Sequence, residues 1–196
     1  MAERPVQRIL IVGGGYVGMY TALRLQKRLK WTSIRITVID PRSYMTYQPF
    51  LPEAAAGSLE PRHVVVPLRR VLRDCQVITG EVIDIRHADR IARVKPRVGD
   101  PYDLAYDQLV VALGSVARTL PIPGLADQGI GFKQVEEAIA LRNHVLDRLD
   151  VAASTPDELV RRRALSFVVV GGGYAGVEAL AELQDMAKDA LRYYPY

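Results

Sequence analysis

Six glycines fall in two groups of identical spacing, Gly13, Gly15 and Gly18 in the first twenty residues and Gly171, Gly173 and Gly176 in the last thirty. Each group reads G-x-G-x-x-G between a short apolar run and a stretch of helical periodicity. In that setting the first glycine permits a tight turn, the second lets a pyrophosphate approach the backbone, and the third lets helix and strand pack closely. The start of the helix adds unpaired N–H groups and the positive end of its dipole, both suited to phosphate. Aligning residues 9–26 (ILIVGGGYVGMYTALRLQ) with residues 167–184 (FVVVGGGYAGVEALAELQ) gives eight identities at a constant offset of 158. The chain therefore carries the same device twice, whereas a single glycine-rich turn often serves packing alone.

Asp40 lies 27 residues after Gly13, at the end of a β-branched run. That is close to the separation of about 20 at which a carboxylate accepts hydrogen bonds from a ribose. There it would favour a free 2′-hydroxyl over a 2′-phosphate. An Asp before Pro41 also ends strands without any ligand, so position rather than residue type carries the ribose role. The same spacing from Gly171 points to position 198, past Tyr196. The second unit is therefore expected to be incomplete, and its preference for NAD or NADP illegible.

The elements that must position these residues follow from the apolar pattern. Arg8–Val12 and Ile34–Ile39 read as parallel strands buried on both faces, joined by a helix from Tyr16 to about Lys30 that shows Gly18, Ala22, Leu25 and Leu29 on one face. Residues 41–61, rich in Tyr, Pro, Ala and Gly, read as a long functional loop. Residues 62–72 read as a short helix, 76–79 as a strand, 81–86 with 91–95 as a hairpin turned by His87-Ala88-Asp89-Arg90, and 107–113 as a buried strand. Pro121-Ile122-Pro123-Gly124 marks an exit, residues 133–149 a helix, and Ser154-Thr155-Pro156-Asp157 a break. Leu165–Val170 repeats the opening strand. The fold class is α/β, Rossmann-like, with a parallel sheet, helices and a small β-meander. Residues 1–124 form the first dinucleotide-binding domain, 125–164 a connecting helix and linker, and 165–196 the truncated start of a second.

Composition narrows the alternatives. The charge of +4, from 26 basic and 22 acidic residues, is spread along the chain, with one run at Arg161-Arg162-Arg163 read as a solvated entry to a strand. No stretch interleaves aromatics with basic residues as a nucleic-acid groove would, so no nucleic-acid partner is expected. Cys75 is the only cysteine, which excludes an internal disulfide and a zinc knuckle and suits a reducing cytoplasm. It is expected to pack rather than react. His63, His87 and His144 follow no metal spacing, so turn or surface roles are expected and no metal site. Tyr44 and Tyr47 read as packing anchors that could also stack on a ligand. No apolar run approaches the ~20 residues needed to span a bilayer.

In order, IVGGGYVG, VIDPRSYMTYQPFLPEAAAG, the GEV turn at Gly80-Glu81-Val82, YDQLVVALGS at 106–115 and VVVGGGYAGVEALAEL resemble the two-dinucleotide-binding-domain flavoproteins, particularly the type II NADH dehydrogenases. The resemblance covers nearly the whole chain. It implies FAD pyrophosphate at Gly13, Gly15 and Gly18 with Tyr16 opening the helix beside them, adenosine ribose at Asp40, and Arg42 beside the adenine or its ribose. It further implies Gln48 and Pro49 near the flavin, the Val82 backbone at the adenine, and Ala112 and Gly114 against the cofactor. Leu113 stands where the family usually has Thr, a departure that bears on this last turn. For the second motif it implies NAD(P)H phosphates at Gly171, Gly173 and Gly176, with Glu178 placing the nicotinamide. The bland reading of Glu178 is a first-turn helix carboxylate stabilised by the dipole.

The implied activity is hydride transfer from NADH to FAD and onward passage of electrons to an acceptor, with quinone the first choice. Such chemistry needs two rings held in register rather than a protein acid, base or nucleophile, so no catalytic side chain is expected. A ferredoxin reductase, a sulfide:quinone oxidoreductase and a non-catalytic dinucleotide-binding protein remain alternatives. The single cysteine argues against the sulfide branch. The resemblance also implies a homodimer and, through residues beyond this chain, peripheral association with the inner face of the cell membrane.

Overall fold

The computed structural model describes residues 6–29 and 33–194. The helix end expected near Lys30 lies outside them. In chain order the elements are β1 (Gln7–Val12), α1 (Tyr16–Arg28), β2 (Ile34–Asp40), β3 (Tyr44–Thr46), a 3-10 turn (Gln48–Phe50), α2 (Leu51–Ala56), a 3-10 turn (Pro61–His63), β4 (Val65–Pro67) and α3 (Leu68–Val71). There follow β5 (Gln76–Arg86), β6 (Ile91–Pro96), β7 (Tyr102–Ala105), β8 (Gln108–Val111), α4 (Leu125–Gln128), α5 (Val135–Ser154), α6 (Glu158–Ala164) and α7 (Tyr174–Leu191). They form two compact units, residues 1–45 with 66–115 and residues 46–65 with 116–196.

The first unit is built on a six-stranded sheet of order β7-β6-β5-β2-β1-β8. β1 pairs in parallel with both β2 and β8, which buries it from both sides and explains its unbroken apolar run. Strand alternation splits that run. Ile9 and Ile11 join Met19 and Ala22 of α1 with Leu68 and Leu72 in one cluster. Leu10 and Val12 join Ala92, Val94 and Tyr106 in another. The meander β5-β6-β7 thus helps cover the face opposite α1, and Tyr106 is 1% exposed with its hydroxyl 3.0 Å from His87 Nδ1.

The strands expected at 76–79 and 81–86 are one strand. It runs parallel to β2 up to Thr79 and antiparallel to β6 from Gly80 onward. A Cβ at Gly80 would lie 2.7 Å from the Lys95 carbonyl oxygen, so this glycine marks a close backbone approach and not a break. The helix expected at 62–72 is also corrected. Val64, Val65 and Val66 are β-branched, and Pro67 cannot sit inside a helix, so the segment holds only the end of the 3-10 turn at Pro61–His63 and, after Pro67, the single turn α3.

Two contacts fix the margins of this unit. Arg8 and Asp107 clamp β1 to the start of β8: the Arg8 backbone N–H and guanidinium donate to the Asp107 carboxylate at 2.7 to 3.1 Å, and the Asp107 N–H donates to the Arg8 carbonyl at 2.9 Å. The Arg8 side-chain hydrogen bonds, then its backbone N–H, hold the Asp107 carboxyl down at about 2. A carboxyl lowered on folding contributes stability above its unfolded value, near about 3.9, and loses it as pH falls through the folded one. Solvent screens the pair, so the effect is small. Asp107→Asn should therefore melt below the parent at pH 5, and thermal melts at successively lower pH should show the gap closing toward pH 2. A gap independent of pH would reject the charged clamp.

Cys75 is half-buried against the first cluster. Burial, with Asp74 adding to it, pushes its thiol up to about 11. The thiolate is the nucleophile, so the folded protein should resist iodoacetamide at pH 7.5 and become alkylated in denaturant, as read by intact mass.

Apart from Thr46 and Val65 at the ends of β3 and β4, the regular elements of the second unit among the described residues are helices. The loop expected at 41–61 is largely ordered, with α2 capped by Gly57 at φ +77°. α2 packs against both α5 and α7. The arginine run lies on α6 rather than at the entry to a strand. Asp157 caps that helix by accepting from Leu159 and Val160 N–H at 2.8 and 3.2 Å, and the arginines sit in its last turn, where they complement the dipole. Leu165–Val170, expected as a strand, joins no ladder among the described residues, and Val168 is 86% exposed. Apolar, β-branched composition favours an extended chain, but a strand exists only where a neighbour supplies the partner N–H and C=O groups. No described helix is long and apolar enough to cross a membrane.

Candidate functional site

In the first unit the parallel strands bring the sequence-implied residues to one edge of the sheet. Gly13 follows the C-terminal end of β1, Asp40 ends β2, and Ala112 and Gly114 follow β8. The crevice beyond the carboxyl ends of parallel strands is where open α/β sheets take ligands. Gly13 has φ +105°, and a Cβ there would lie 2.1 Å from the Ala112 carbonyl oxygen. A Cβ at Gly18 would lie 1.7 Å from the Gly13 carbonyl oxygen, so these two glycines are demanded by packing and backbone conformation. Gly15 differs. It caps α1 with an ordinary φ of −70°, and a Cβ there would meet nothing within 4 Å. The turn is thus tight behind and open in front, and α1 has no acidic residue in its first turn to compete with a phosphate. These residues fit the pyrophosphate of FAD.

Asp40 is tied to this turn. One carboxylate oxygen accepts from the Gly14 N–H at 2.6 Å and the other from the Arg42 N–H at 2.7 Å. Each oxygen keeps a further lone pair for a ribose hydroxyl. The bond to Gly14 gives Asp40 a second task, shaping the glycine turn, that its spacing did not disclose. Gly14 itself, a variable position of the motif, is confined by Leu68, whose Cδ1 would be 2.5 Å from an added Cβ. Val82 lies on β5 where the register with β6 shifts, three residues past Thr79, the partner of Asp40, or about 10 Å along the strand. Tyr16 is the first residue of α1, and Leu113 is 69% exposed beside Gly114, whose φ is +68°.

In the second unit the second glycine turn keeps the stereochemistry of the first. Gly171 has φ +120°, a Cβ at Gly176 would lie 2.3 Å from the Gly171 carbonyl oxygen, and Gly173 caps α7 with open space around it. The turn forms although no ladder precedes it. Glu178 is the fifth residue of α7, beyond its first turn, so the helix dipole gives a weaker account of the carboxylate than its sequence position suggested.

Glu178 lines a recess of about 230 Å³ with Gln48, Leu51, Pro52, Phe132, Lys133 and Ala175. The fold therefore unites Gln48 and Glu178, implied separately for flavin and nicotinamide, on an apolar floor. Pro49 follows Gln48 in the 3-10 turn and is not part of the lining. Phe132 and Lys133 were not legible as site residues. Their one sequence signal is the Gln134-x-x-Glu137 pattern of a capping box, which marks a helix start and no ligand. A carboxamide, an ammonium and a carboxylate around an apolar pocket suit a planar ring bearing amide groups, as a small-molecule site of this kind would.

The chain matches the family described as pyridine nucleotide-disulphide oxidoreductase over residues 7–192. The external alternative NADH-ubiquinone oxidoreductase, mitochondrial, of Yarrowia lipolytica is 32% identical over 198 residues, covering 96% of this chain and 34% of its own. The external NADH-ubiquinone oxidoreductase 2, mitochondrial, of Saccharomyces cerevisiae is 34% identical over 194 residues, covering 95% and 35%. The solved structure of NDH2 from Plasmodium falciparum in complex with NADH superposes with a TM-score of 0.89 at 27% identity, covering 97% of this chain and 39% of that one. This chain spans about a third of the length of the curated relatives it matches.

Proposed function

Because the chain belongs to the pyridine nucleotide-disulphide oxidoreductase family, we propose that it holds FAD on its first glycine turn and NAD(P)H on its second, within a flavoprotein that passes hydride from NADH to FAD and electrons onward to a quinone. The observation that carries this reading is the repeated turn, Gly13 with Gly18 and Gly171 with Gly176, in one stereochemistry at two places. Residues 1–124 serve FAD, 165–196 begin the NAD(P)H site, and 125–164 connect them. Quinone as acceptor draws its support from the relatives, which are NADH-ubiquinone oxidoreductases.

The flavin, when bound, supplies the hydride-accepting and electron-donating chemistry. The chain's own residues bind and orient. The Gly13–Gly18 backbone and the start of α1 neutralise pyrophosphate. Asp40 accepts from the adenosine ribose while holding Gly14 in place, with Arg42, Val82, Ala112 and Gly114 against the remaining nucleotide. Gly171, Gly173 and Gly176 take the second pyrophosphate, and Glu178 accepts from the carboxamide of the nicotinamide. Gln48 and Pro49 approach the flavin ring, and the apolar floor of the recess excludes water. A homodimer at the cytoplasmic face of the cell membrane completes the proposal, resting on the family resemblance and, for the compartment, on the lone Cys75.

The natural gene product should purify with a yellow chromophore absorbing near about 450 nm, the flavin being its own reporter. NADH should bleach it under anaerobic conditions, and a soluble quinone should restore it. A colourless protein that binds no added FAD would overturn the reading.

A further inference from the structure

One peptide plane in the second unit is gripped from both ends. The N–H of the Lys133–Gln134 peptide donates to Glu137 Oε2 at 2.9 Å, and the C=O of the same peptide accepts from Gln48 Nε2 at 3.3 Å. The Lys133 N–H, one peptide earlier, donates to that same Glu137 oxygen at 2.5 Å. A peptide unit is rigid and planar, so turning its N–H end turns its C=O end with it. The bare backbone of Gly131 leaves room for the Glu137 carboxylate, whose Oε1 would be 2.5 Å from a Cβ there. Gln48 and Lys133 both line the recess that holds Glu178, whereas Glu137 does not.

We infer that Glu137 is a positioning residue of the recess: by fixing the Lys133–Gln134 peptide it fixes the amide of Gln48, and so the site that receives the reacting end of the nicotinamide nucleotide. The inference rests on the proposed role of the recess. With its N–H spent on the Lys133 carbonyl, the Gln48 amide presents its carbonyl oxygen and second N–H in a set direction. Without Glu137 the peptide loses the acceptor of its N–H, and Gln48 loses the hold that sets its carbonyl partner. Glu137 also completes the capping box of α5, in which the Gln134 side chain accepts from the Glu137 N–H. A purely structural role therefore makes a different forecast, because Gln134→Ala removes the other half of that cap and leaves Lys133 held.

The test compares Glu137→Ala, Glu137→Gln, Gln134→Ala, Gln48→Ala and the Glu137→Ala/Gln48→Ala double variant in the flavin-loaded natural protein. NAD⁺ affinity is read by calorimetry, and amide exchange across residues 131–135 is read without nucleotide. We expect Glu137→Ala to weaken NAD⁺ about tenfold, Glu137→Gln to restore most of it, and Gln134→Ala to change it less than about twofold. We expect the double variant to be no worse than the worse single one, the mark of residues acting through each other, and Gln48→Ala to speed exchange of the Gln134 N–H. Equal effects of Glu137→Ala and Gln134→Ala would overturn the inference in favour of a simple helix cap. An effect from Gln48→Ala but none from Glu137→Ala would overturn it and leave the role of the recess standing. No effect from Gln48→Ala would overturn both.

Discussion

Gly15→Val should fold and carry no flavin. Gly15 has an ordinary negative φ, and a Cβ there meets no atom within 4 Å, so the backbone accepts a side chain that points away from the protein at its first atom. The cost to α1 of a poorer cap is about 1 kcal/mol. The space the side chain would fill is the open front of the turn, where the proposal seats pyrophosphate. Hydrogen bonds to a charged group contribute about 1.5–3 kcal/mol each, so displacing the phosphate from one or two N–H groups lowers affinity about 10- to 100-fold per bond. Gly18→Val is the contrasting variant. Its Cβ would run into the Gly13 carbonyl oxygen at 1.7 Å, and it should misfold outright. Flavin-to-protein ratio and thermal unfolding, measured together, separate the two, and wild-type flavin content in a folded Gly15→Val protein would remove FAD from this turn.

Glu178→Ala should keep its flavin and lose its response to NADH. Alanine is the better helix former, and Glu178 is exposed on α7, so the substitution leaves the fold intact. The carboxylate is one of three polar groups around the recess; Lys133 offers only donors, and the Gln48 carbonyl oxygen is an uncharged acceptor oriented by the Lys133 carbonyl, so neither replaces the charged acceptor that Glu178 gives the nicotinamide amide. Misplacing a reacting ring by about 1 Å costs about a hundredfold in rate, and anaerobic stopped-flow bleaching of the flavin by NADH should slow by that order. Retained NADH reactivity with lost FAD would reverse the assignment of the two turns.

These outcomes depend on features of unequal legibility. The glycine turns were readable in full, including the identity of the two copies, because a positive φ at Gly13 and the packing of Gly18 on Gly13 are settled within six residues. The same holds for α1, α7 and the Asp157 break, where caps and periodicity act over a turn or two. Elements that need a distant neighbour were read less well. β5 looked interrupted at Gly80 because the reason for that glycine is Lys95 on another strand. β7 was not anticipated, since it exists as the partner of β6.

Alone, the sequence determined where the glycine turns fall, which acid stands at the end of the second strand, and that one device occurs twice, all consequences of short-range sterics and spacing. Only the tertiary structure decided that Leu165–Val170 has the composition of a strand without forming one among the described residues, that Asp40 shapes the turn it was assigned to serve, and that Gln48, Lys133 and Glu178 share one recess. The physical reason is that hydrogen-bond ladders and recesses are made between segments far apart in the chain, and a side chain's type records what it can offer there but not which partner the fold will bring to it.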